Sequence, residues 1–142
     1  MNLIIFGPPG AGKGTQADFI KKNFNLFQLS TGEVLRNEIK NKTELGKEIS
    51  SIIAAGSLVS DDVVKKLVEN FISNKTYEDR LIFDGYPRNL TQAKTLTELL
   101  NKYEQKINLV LKLSVSLETI KKRILERRTL EKRIDDNEEI AI

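Results

Sequence analysis

A glycine-rich segment near the start of the chain carries the residues with the most specific chemistry in this sequence. It runs from Gly7 to Thr15 and reads GPPGAGKGT, with glycine at four of its nine positions. Glycines let backbone N–H groups converge on one concavity without side chains in the way, which is what an anion requires. Lys13 can reach the β- and γ-phosphates of a nucleotide, and the hydroxyl of Thr15 can bind the accompanying Mg²⁺. The segment therefore predicts a nucleoside triphosphate site.

The elements on either side support this prediction. Residues 2–6 form an apolar run with strand character, and apolar residues recur at helical spacing through 13–24. A strand, a glycine loop and a helix in this order point the positive end of the helix at the bound anion. The alternative is a glycine-rich turn that only joins the two elements, and it leaves the lysine and the threonine unexplained.

Composition limits what the rest of the site can contain. The chain has 142 residues, enough for one ordinary domain, and no cysteine or histidine. Disulfides, thiolate chemistry, histidine bases and the usual zinc ligands are therefore excluded, so the chemistry depends on lysine, arginine, carboxylates and Mg²⁺. The 23 basic and 20 acidic residues are too evenly balanced to favour a nucleic acid partner. Without a signal peptide or an apolar run of membrane-spanning length, we expect a cytoplasmic protein with no membrane partner, and a monomer.

Strand and helix patterns alternate along the chain. Apolar runs predict further strands at 26–29, 80–84 and 107–113, the last of which is typical of a strand covered on both faces. Helical spacing predicts helices from Ser30, where Glu33 completes a capping box, and at 45–56, 60–72, 89–103 and 117–128. A short break at 129–132 precedes one more helix start. This alternation predicts an α/β fold, a parallel sheet flanked by helices.

One predicted strand ends on an acid. Asp84 lies at the carboxyl end of the third strand, where doubly wound sheets hold their ligands. The bend that follows brings Arg88 and Gln92 to the same edge. Asp84 and Arg88 each have a simpler interpretation. Asp84 could merely cap the next helix, and Arg88 could be a cation of the loop without a ligand.

Several segments together resemble the signature set of adenylate kinases, and the resemblance covers the whole chain. These segments are Gly7–Thr15, Ser30–Gly32 with Arg36, Leu58–Val59, Asp84–Arg88 with Gln92, Arg123 with Arg127, and Arg133–Asp136. The family's GKGT ending accounts for Gly14 between the lysine and the hydroxyl residue. The resemblance implies a P-loop NTPase-type sheet with a small helical insertion that binds the nucleoside monophosphate. It also implies reversible transfer of the γ-phosphoryl group of MgATP to AMP, giving two ADP.

The resemblance also implies a role for each site residue. It places ATP on Gly10, Ala11, Gly12, Lys13, Gly14, Thr15, Arg123 and Arg127. It places AMP on Thr31, Gly32, Arg36, Leu58, Val59, Gly85, Arg88 and Gln92, with Thr31 and Gln92 favouring adenine. The catalytic cations are Lys13, Arg88, Arg123, Arg127 and Arg133, and Mg²⁺ is held by Thr15 and Asp84, largely through water. Two polyanions repel each other, so converging arginines suit the task. Taken without their neighbours, Arg36 and the cations of 121–128 read as solvated helix residues.

The family's domain organisation maps onto the chain as follows: a P-loop core at 1–29 and 60–128, an AMP-binding subdomain at 30–59, a vestigial lid at 129–134, and the start of a further core helix at 135–142. Adenylate kinases continue with another catalytic arginine, a fifth strand and a loop that holds the ATP adenine, which this sequence does not include. A cysteine-bound zinc in the lid is excluded. The competing hypotheses are a kinase for another nucleoside monophosphate, a nucleotide-binding module without transferase activity, and a P-loop ATPase that drives a partner.

Overall fold

The computed structural model describes residues 1–131, which form four strands and six α-helices in alternation. In chain order the elements are β1 (Leu3–Phe6), α1 (Lys13–Phe24), β2 (Phe27–Ser30), α2 (Thr31–Lys40), α3 (Glu44–Ala54), α4 (Asp61–Ile72), a 3₁₀ turn (Lys75–Tyr77), β3 (Leu81–Asp84), α5 (Leu90–Lys102), β4 (Leu109–Lys112) and α6 (Leu117–Glu131). Each predicted helix and strand within this range is present, with ends shifted by a few residues. The α/β prediction is confirmed.

The four strands form one parallel sheet in the order β2-β3-β1-β4. Asp84 at the end of β3 is in register with Ile5 of β1 on one side and with Ser30 of β2 on the other. The carboxyl ends of these three strands therefore lie side by side. Because every segment that leaves these ends starts from the same edge, the glycine loop, the start of α2 and the residues after Asp84 are neighbours in space.

Both faces of β3 are covered, and its side chains alternate between two apolar clusters. Leu81 and Phe83 pack with residues of α4 and α5, whereas Ile82 packs with Ala17 of α1 and its neighbours. All three β3 side chains are fully buried. A strand buried on both faces explains the uninterrupted apolar run of this segment. The carboxyl end of β3, which carries Asp84, is thus held in place by packing on both faces of the sheet.

The prediction that the fourth strand is covered on both faces is wrong for the described residues. Among residues 1–131, β4 lies at the edge of the sheet and pairs with β1 alone, and Leu109 and Val110 are 45% and 52% exposed. An apolar run shows that a strand tolerates burial, but its neighbours in space decide how much burial occurs. Residues 1–131 supply a partner on only one side of β4.

The predicted break at 129–132 is wrong as far as the described residues extend. Helix α6 continues through Thr129 and Leu130 to Glu131, and the Thr129 hydroxyl donates to the carbonyl of Leu125 at 3.1 Å. Threonine lowers helix propensity only slightly, and this bond to the preceding turn is compatible with the helix. The lid assigned to 129–134 extends past Glu131, and that assignment remains a prediction.

A buried asparagine ties together the opposite edge of the sheet, where the strands begin. Asn2 has no exposed surface; its side-chain amide donates to Gln105 and to the carbonyl of Lys106, and its Oδ1 accepts from the Leu81 amide at 3.0 Å. Gln105 in turn donates to the carbonyl of Ile72 at the end of α4. One side chain thus links the starts of β1 and β3 to the segment that leads into β4.

The Asn2→Ala variant is expected to lose about 2 to 4 kcal/mol of unfolding free energy, because several buried polar groups lose their partner at once. Urea unfolding followed by circular dichroism measures the loss. The matched control is Asn23→Ala, which removes an exposed asparagine whose side chain donates to the carbonyl one turn back. Similar midpoints for the two variants would contradict the structural role of Asn2.

Candidate active site

The glycine loop joins β1 to α1 and leaves the first turn of α1 without a side-chain cap. Gly10 and Gly12 have φ values of 78° and 95°, a left-handed conformation that favours glycine. Gly12 is the N-cap residue, and as a glycine it offers no side chain that could cap the helix. The N–H groups at this helix start lie at the concavity of the loop, where a bound anion can accept from them. The Lys13 ammonium donates to the carbonyls of Gly7 and Pro8 at 3.0 and 3.3 Å, so it lies over the loop.

Helix α6 packs directly against this loop. A Cβ placed on Gly10 would lie 3.1 Å from the carbonyl oxygen of Ile120 and 3.2 Å from Cγ1 of Ile124. Nη1 of Arg123 donates to the carbonyl of Gly10 at 3.3 Å, across 113 residues of sequence. Arg127 lies one turn further along α6 and is partly buried. The structure thus places Arg123 beside the phosphate loop, while Gly14 and Thr15 remain exposed in the first turn of α1.

Asp84 lies among the carboxyl ends of the strands, and a hydrogen bond holds one of its two carboxylate oxygens. It is 7% exposed, and its Oδ2 accepts from Nε2 of Gln28 at 2.8 Å. The helix that follows is capped by Asn89, whose side chain accepts from the Gln92 amide at 2.8 Å, so Asp84 is not the helix cap. Gln28 was missed in the sequence analysis. Its polar side chain in an otherwise apolar strand is the signal that could have identified it.

A second group of polar residues surrounds Gly85. The Thr31 hydroxyl and Nε of Arg88 both donate to the Gly85 carbonyl, at 3.2 and 2.8 Å. Gly85 has a φ of 80°, and a Cβ there would lie 3.3 Å from Thr31 Oγ1 and from Arg88 Nη2. A larger residue at this position would therefore be both strained and crowded. The structure thus brings Thr31 and Arg88 together at one carbonyl.

Arg36 belongs to the same helix as Thr31 and lies over its first turn. Nη1 of Arg36 is 3.0 Å from the position that a Cβ on Gly32 would occupy, so glycine at 32 leaves room for the guanidinium. Helix α2 begins at the carboxyl end of β2, with Ser30 as N-cap accepting from the Glu33 amide. The arginine is therefore carried on a helix that starts at the same sheet edge as Asp84.

Gln92 is held in the third position of α5 by contacts at both ends of its amide. Its Oε1 accepts from the Arg88 amide and its Nε2 donates to Asp61 Oδ1, each at 2.7 Å. Gln92 is 8% exposed. Asp61, the first residue of α4, was not among the predicted site residues. No local sequence signal distinguishes it from Asp62, because its partner lies 31 residues away.

Three predicted residues are placed less tightly or fall outside the described range. Leu58 is 93% exposed, and the side chain of Val59 packs against the core cluster of α4 and α5. Any contribution of Val59 to a nucleotide pocket would therefore come from its backbone, whereas the Leu58 side chain is accessible. Arg133 lies outside the described residues.

Tyr86, between Gly85 and the cis peptide bond to Pro87, is almost fully buried in the core beside the site. Burial, and then the nearby Asp61 carboxylate, raises the pKa of Tyr86 from 10.0 to about 12. The unfolded chain loses this proton near pH 10 and the folded chain near pH 12. Stability linked to Tyr86 is therefore complete below pH 10 and is lost as the pH rises toward 12.

We expect the Tyr86→Phe variant to lose less unfolding free energy than the wild type between pH 9.5 and pH 11.5, by about 1 to 2 kcal/mol. Urea unfolding at a series of pH values measures this difference, and lysine titration cancels in the comparison. The Tyr103→Phe variant is the control, since Tyr103 is partly exposed. Parallel pH profiles for wild type and Tyr86→Phe would contradict the assignment.

No helix within residues 1–131 is long and apolar enough to cross a membrane. The same residues contain no group of three acidic side chains that could hold a metal ion by themselves.

Comparison with known proteins agrees with this geometry. The family model described as Adenylate kinase matches residues 5–142. An adenylate kinase of Pelagibacter ubique is 54% identical over 132 residues, which are 93% of this chain and 62% of the relative. Those of Parabacteroides distasonis and Flavobacterium psychrophilum are 43% and 41% identical over 96% and 100% of the chain, covering 72% and 75% of the relatives. The chain thus spans 62% to 75% of the lengths of these relatives. With the glycine loop, the four-stranded parallel sheet and these matches, the chain belongs to the adenylate kinase family.

Proposed function

We propose that this chain catalyses reversible transfer of the γ-phosphoryl group of MgATP to AMP, giving two ADP. The observation that carries the proposal is the register of Asp84 with both Ile5 and Ser30. This register brings the glycine loop and the arginine-bearing elements to one sheet edge. Phosphoryl transfer needs two anions held in line and cations that neutralise the moving group, and a shared edge suits both requirements.

On the donor side, the amides of Gly10, Ala11, Gly12, Lys13, Gly14 and Thr15 would bind the phosphates of ATP. The glycine N-cap supports this role, because Gly12 has no side chain of its own at the helix start where an anion would accept from the amides. Arg123 would reach the same phosphates, and its bond to the Gly10 carbonyl supports this role. Arg127 would act from the next turn of α6.

On the acceptor side, Arg36 and Arg88 would bind the phosphate of AMP, since guanidinium groups bind phosphate in two-pronged fashion. Thr31, Gly32, Gly85 and Gln92, with the backbone at Leu58 and Val59, would form the nucleoside pocket. The bonds of Thr31 and Arg88 to one carbonyl support their joint action. The family name implies adenine nucleotides as substrates.

The residues at the edge fit an Mg²⁺ ion that arrives with its nucleotide. Thr15 offers a hydroxyl in the first turn of α1, and Asp84 has one carboxylate oxygen bonded to Gln28, which leaves the other for a metal-bound water. Mg²⁺ prefers such oxygen ligands and usually keeps several waters. When bound, the ion would neutralise charge on the β- and γ-phosphates. No general base is required, which suits a chain without histidine.

The remaining assignments are proposals from the sequence. A chain without cysteine suits the reducing cytoplasm, and we propose that it acts there as a monomer with no nucleic acid or membrane partner. We also propose that residues 30–59 move over AMP as a subdomain. The packing of α3 chiefly against α2 supports this, because the pair could move as one body.

The test of the proposed function is ADP formation from MgATP, with AMP, UMP, CMP and GMP compared as acceptors at matched concentrations. AMP should be the best acceptor by kcat/KM. Equal or better use of a pyrimidine would overturn the adenine assignment. AMP binding without ADP formation would indicate a nucleotide-binding module that lacks transferase activity.

The Arg88→Ala variant is expected to raise the KM for AMP by about 10- to 100-fold and to leave the KM for ATP within about threefold, because one charge-assisted phosphate contact is lost on the acceptor side. Initial rates with AMP varied at saturating MgATP measure the effect. Arg128→Ala, an exposed arginine on α6, is the control. An unchanged KM for AMP would show that the acceptor site is misassigned or that the activity comes from a contaminating kinase.

A further inference from the structure

The side-chain amide of Gln92 forms a hydrogen bond at each end, one with a group that can only donate and one with a group that can only accept. At one end, the Arg88 backbone N–H donates to Oε1 at 2.7 Å. At the other, Nε2 donates to Oδ1 of Asp61, also at 2.7 Å. A backbone N–H can only donate, and an ionised carboxylate can only accept. The two contacts therefore determine which end of the amide is oxygen and which is nitrogen.

Rotating the amide by a half-turn would break both contacts at once. The Gln92 carbonyl oxygen would then face the Asp61 carboxylate, and its NH₂ group would face the Arg88 N–H. Two acceptors would then face each other at one end and two donors at the other, each pair at hydrogen-bond distance. The Arg88 contact comes from the backbone and is fixed by the start of α5, so Asp61 is the anchor that a side-chain change can remove.

The backbones of both residues are themselves fixed. Ser60 caps α4 by accepting from the Val63 amide, which sets the position of Asp61 as the first helical residue. Asn89 caps α5 by accepting from the Gln92 amide at 2.8 Å. The two helices pack through a shared apolar cluster that includes Val64, Val68, Leu96 and Leu99. The Asp61 carboxylate thus reaches Gln92 from a rigid frame.

Within the described residues, Gln92 keeps one N–H and one oxygen lone pair beyond these two contacts. An amide with a fixed orientation presents this donor and acceptor in a fixed order. A 6-amino purine offers an amino donor beside a ring-nitrogen acceptor, whereas a 6-oxo purine offers the reverse. A glutamine whose amide is free to rotate can pair with either purine, but a glutamine whose amide is held in one orientation can pair with only one of the two purines.

We propose that Asp61 is a positioning residue that holds the Gln92 amide in one orientation and thereby makes the acceptor site select a 6-amino purine over a 6-oxo purine. The inference rests on the proposed AMP site, since it concerns the base that this site binds. Asp61 need not touch the nucleotide. Its effect passes through Gln92, so losing it should alter the choice of base more than the binding of phosphate.

The test compares the binding of AMP and inosine monophosphate by calorimetry to the wild type and to Asp61→Asn. The two ligands share ribose and phosphate and differ in the purine edge. The wild type is expected to prefer AMP by about 100-fold, and Asp61→Asn to reduce that preference by about tenfold, because an asparagine can donate as well as accept. The control is Asp62→Asn, which removes the next carboxylate of the same helix turn and should keep the wild-type preference.

The ratio of the two affinities separates positioning from a structural effect. A structural defect would weaken both nucleotides equally and leave the ratio unchanged, and that outcome would overturn the proposal. Equal binding of both nucleotides by the wild type would overturn it as well. If the wild type bound neither nucleotide, the proposed acceptor site itself would fail.

A measurement without nucleotide tests the anchor directly in the wild type. We expect a scalar coupling through the hydrogen bond between ¹⁵Nε2 of Gln92 and ¹³Cγ of Asp61, and slow rotation of the Gln92 amide group, by nuclear magnetic resonance. Rapid averaging of the amide with no coupling would overturn the proposed orientation even if Asp61→Asn failed to fold.

Discussion

Replacing Lys13 by alanine is expected to lower kcat for ADP formation by about 10²- to 10³-fold, because the variant lacks a preorganised cation at the transferring phosphates. The Lys13 ammonium already lies over the loop, within 3.3 Å of the Gly7 and Pro8 carbonyls. A phosphate in the concavity would give this cation a stronger partner than two neutral carbonyls. Little side-chain ordering would then be required when ATP binds.

Initial rates at saturating MgATP and AMP measure the effect of Lys13→Ala. The matched control is Lys22→Ala, an exposed lysine in the last turn of the same helix, which should retain wild-type kcat. Affinity for MgATP, measured on the same samples, shows whether the lysine acts in binding or in transfer. A Lys13→Ala variant with kcat within about threefold of wild type would contradict the donor-site assignment.

The Gly46→Ala variant is expected to disrupt the packing of α2 against α3. A Cβ at this position would lie 1.9 Å from the carbonyl oxygen of Glu38 and 2.4 Å from its carbon. Alanine gains about 1 kcal/mol of helix propensity over glycine, but a clash between two backbones can be relieved only by separating the helices. The separation would also disturb Thr43, which caps α3 by accepting from the Gly46 amide at 2.9 Å.

We expect a net loss of about 2 to 4 kcal/mol from the stability of this helix pair in Gly46→Ala, with exposure of the fully buried Ile49. Hydrogen exchange should accelerate in α2 and α3 while β3 and α5 stay protected. AMP affinity should fall, because Thr31 and Arg36 are carried on α2. The control is Gly14→Ala, a helical glycine with open space around it, which should unfold at the wild-type midpoint or above. Unchanged exchange in α2 would contradict the close approach of the two helices.

Much of the candidate donor site could be proposed from the sequence because its signals are local. The glycine loop, the strand before it and the helix after it lie within 24 residues, and their chemistry depends on backbone conformation that glycine permits. Helix starts were equally local: Ser30 accepts from the Glu33 amide, as the capping-box spacing predicted, and Ser60 accepts from the Val63 amide at the predicted start of α4. The resemblance to adenylate kinases extended the prediction to the acceptor residues, and the structure gathers Thr31 and Arg88 at Gly85.

The errors arose where the sequence pattern did not determine the neighbours in space. The apolar run of β4 gave no information about which faces would be covered, and its edge position depends on the other strands. The continuation of α6 through Thr129 is decided by a balance of weak propensities that a single residue does not reverse. Nothing in the local sequence distinguishes Gly46 from another helical glycine, because the backbone that lies against it belongs to α2.

By itself, the sequence determined the α/β class, the phosphate loop and the order of the helices and strands, because these depend on residues a few positions apart. Only the tertiary structure decided that Arg123 contacts Gly10, that Gln28 anchors Asp84 and that Asp61 holds Gln92. These pairs are separated by 113, 56 and 31 residues, and each forms because packed helices and strand register bring distant groups within hydrogen-bond distance. Periodicity and spacing describe one element at a time, whereas a contact between elements depends on how all of them pack.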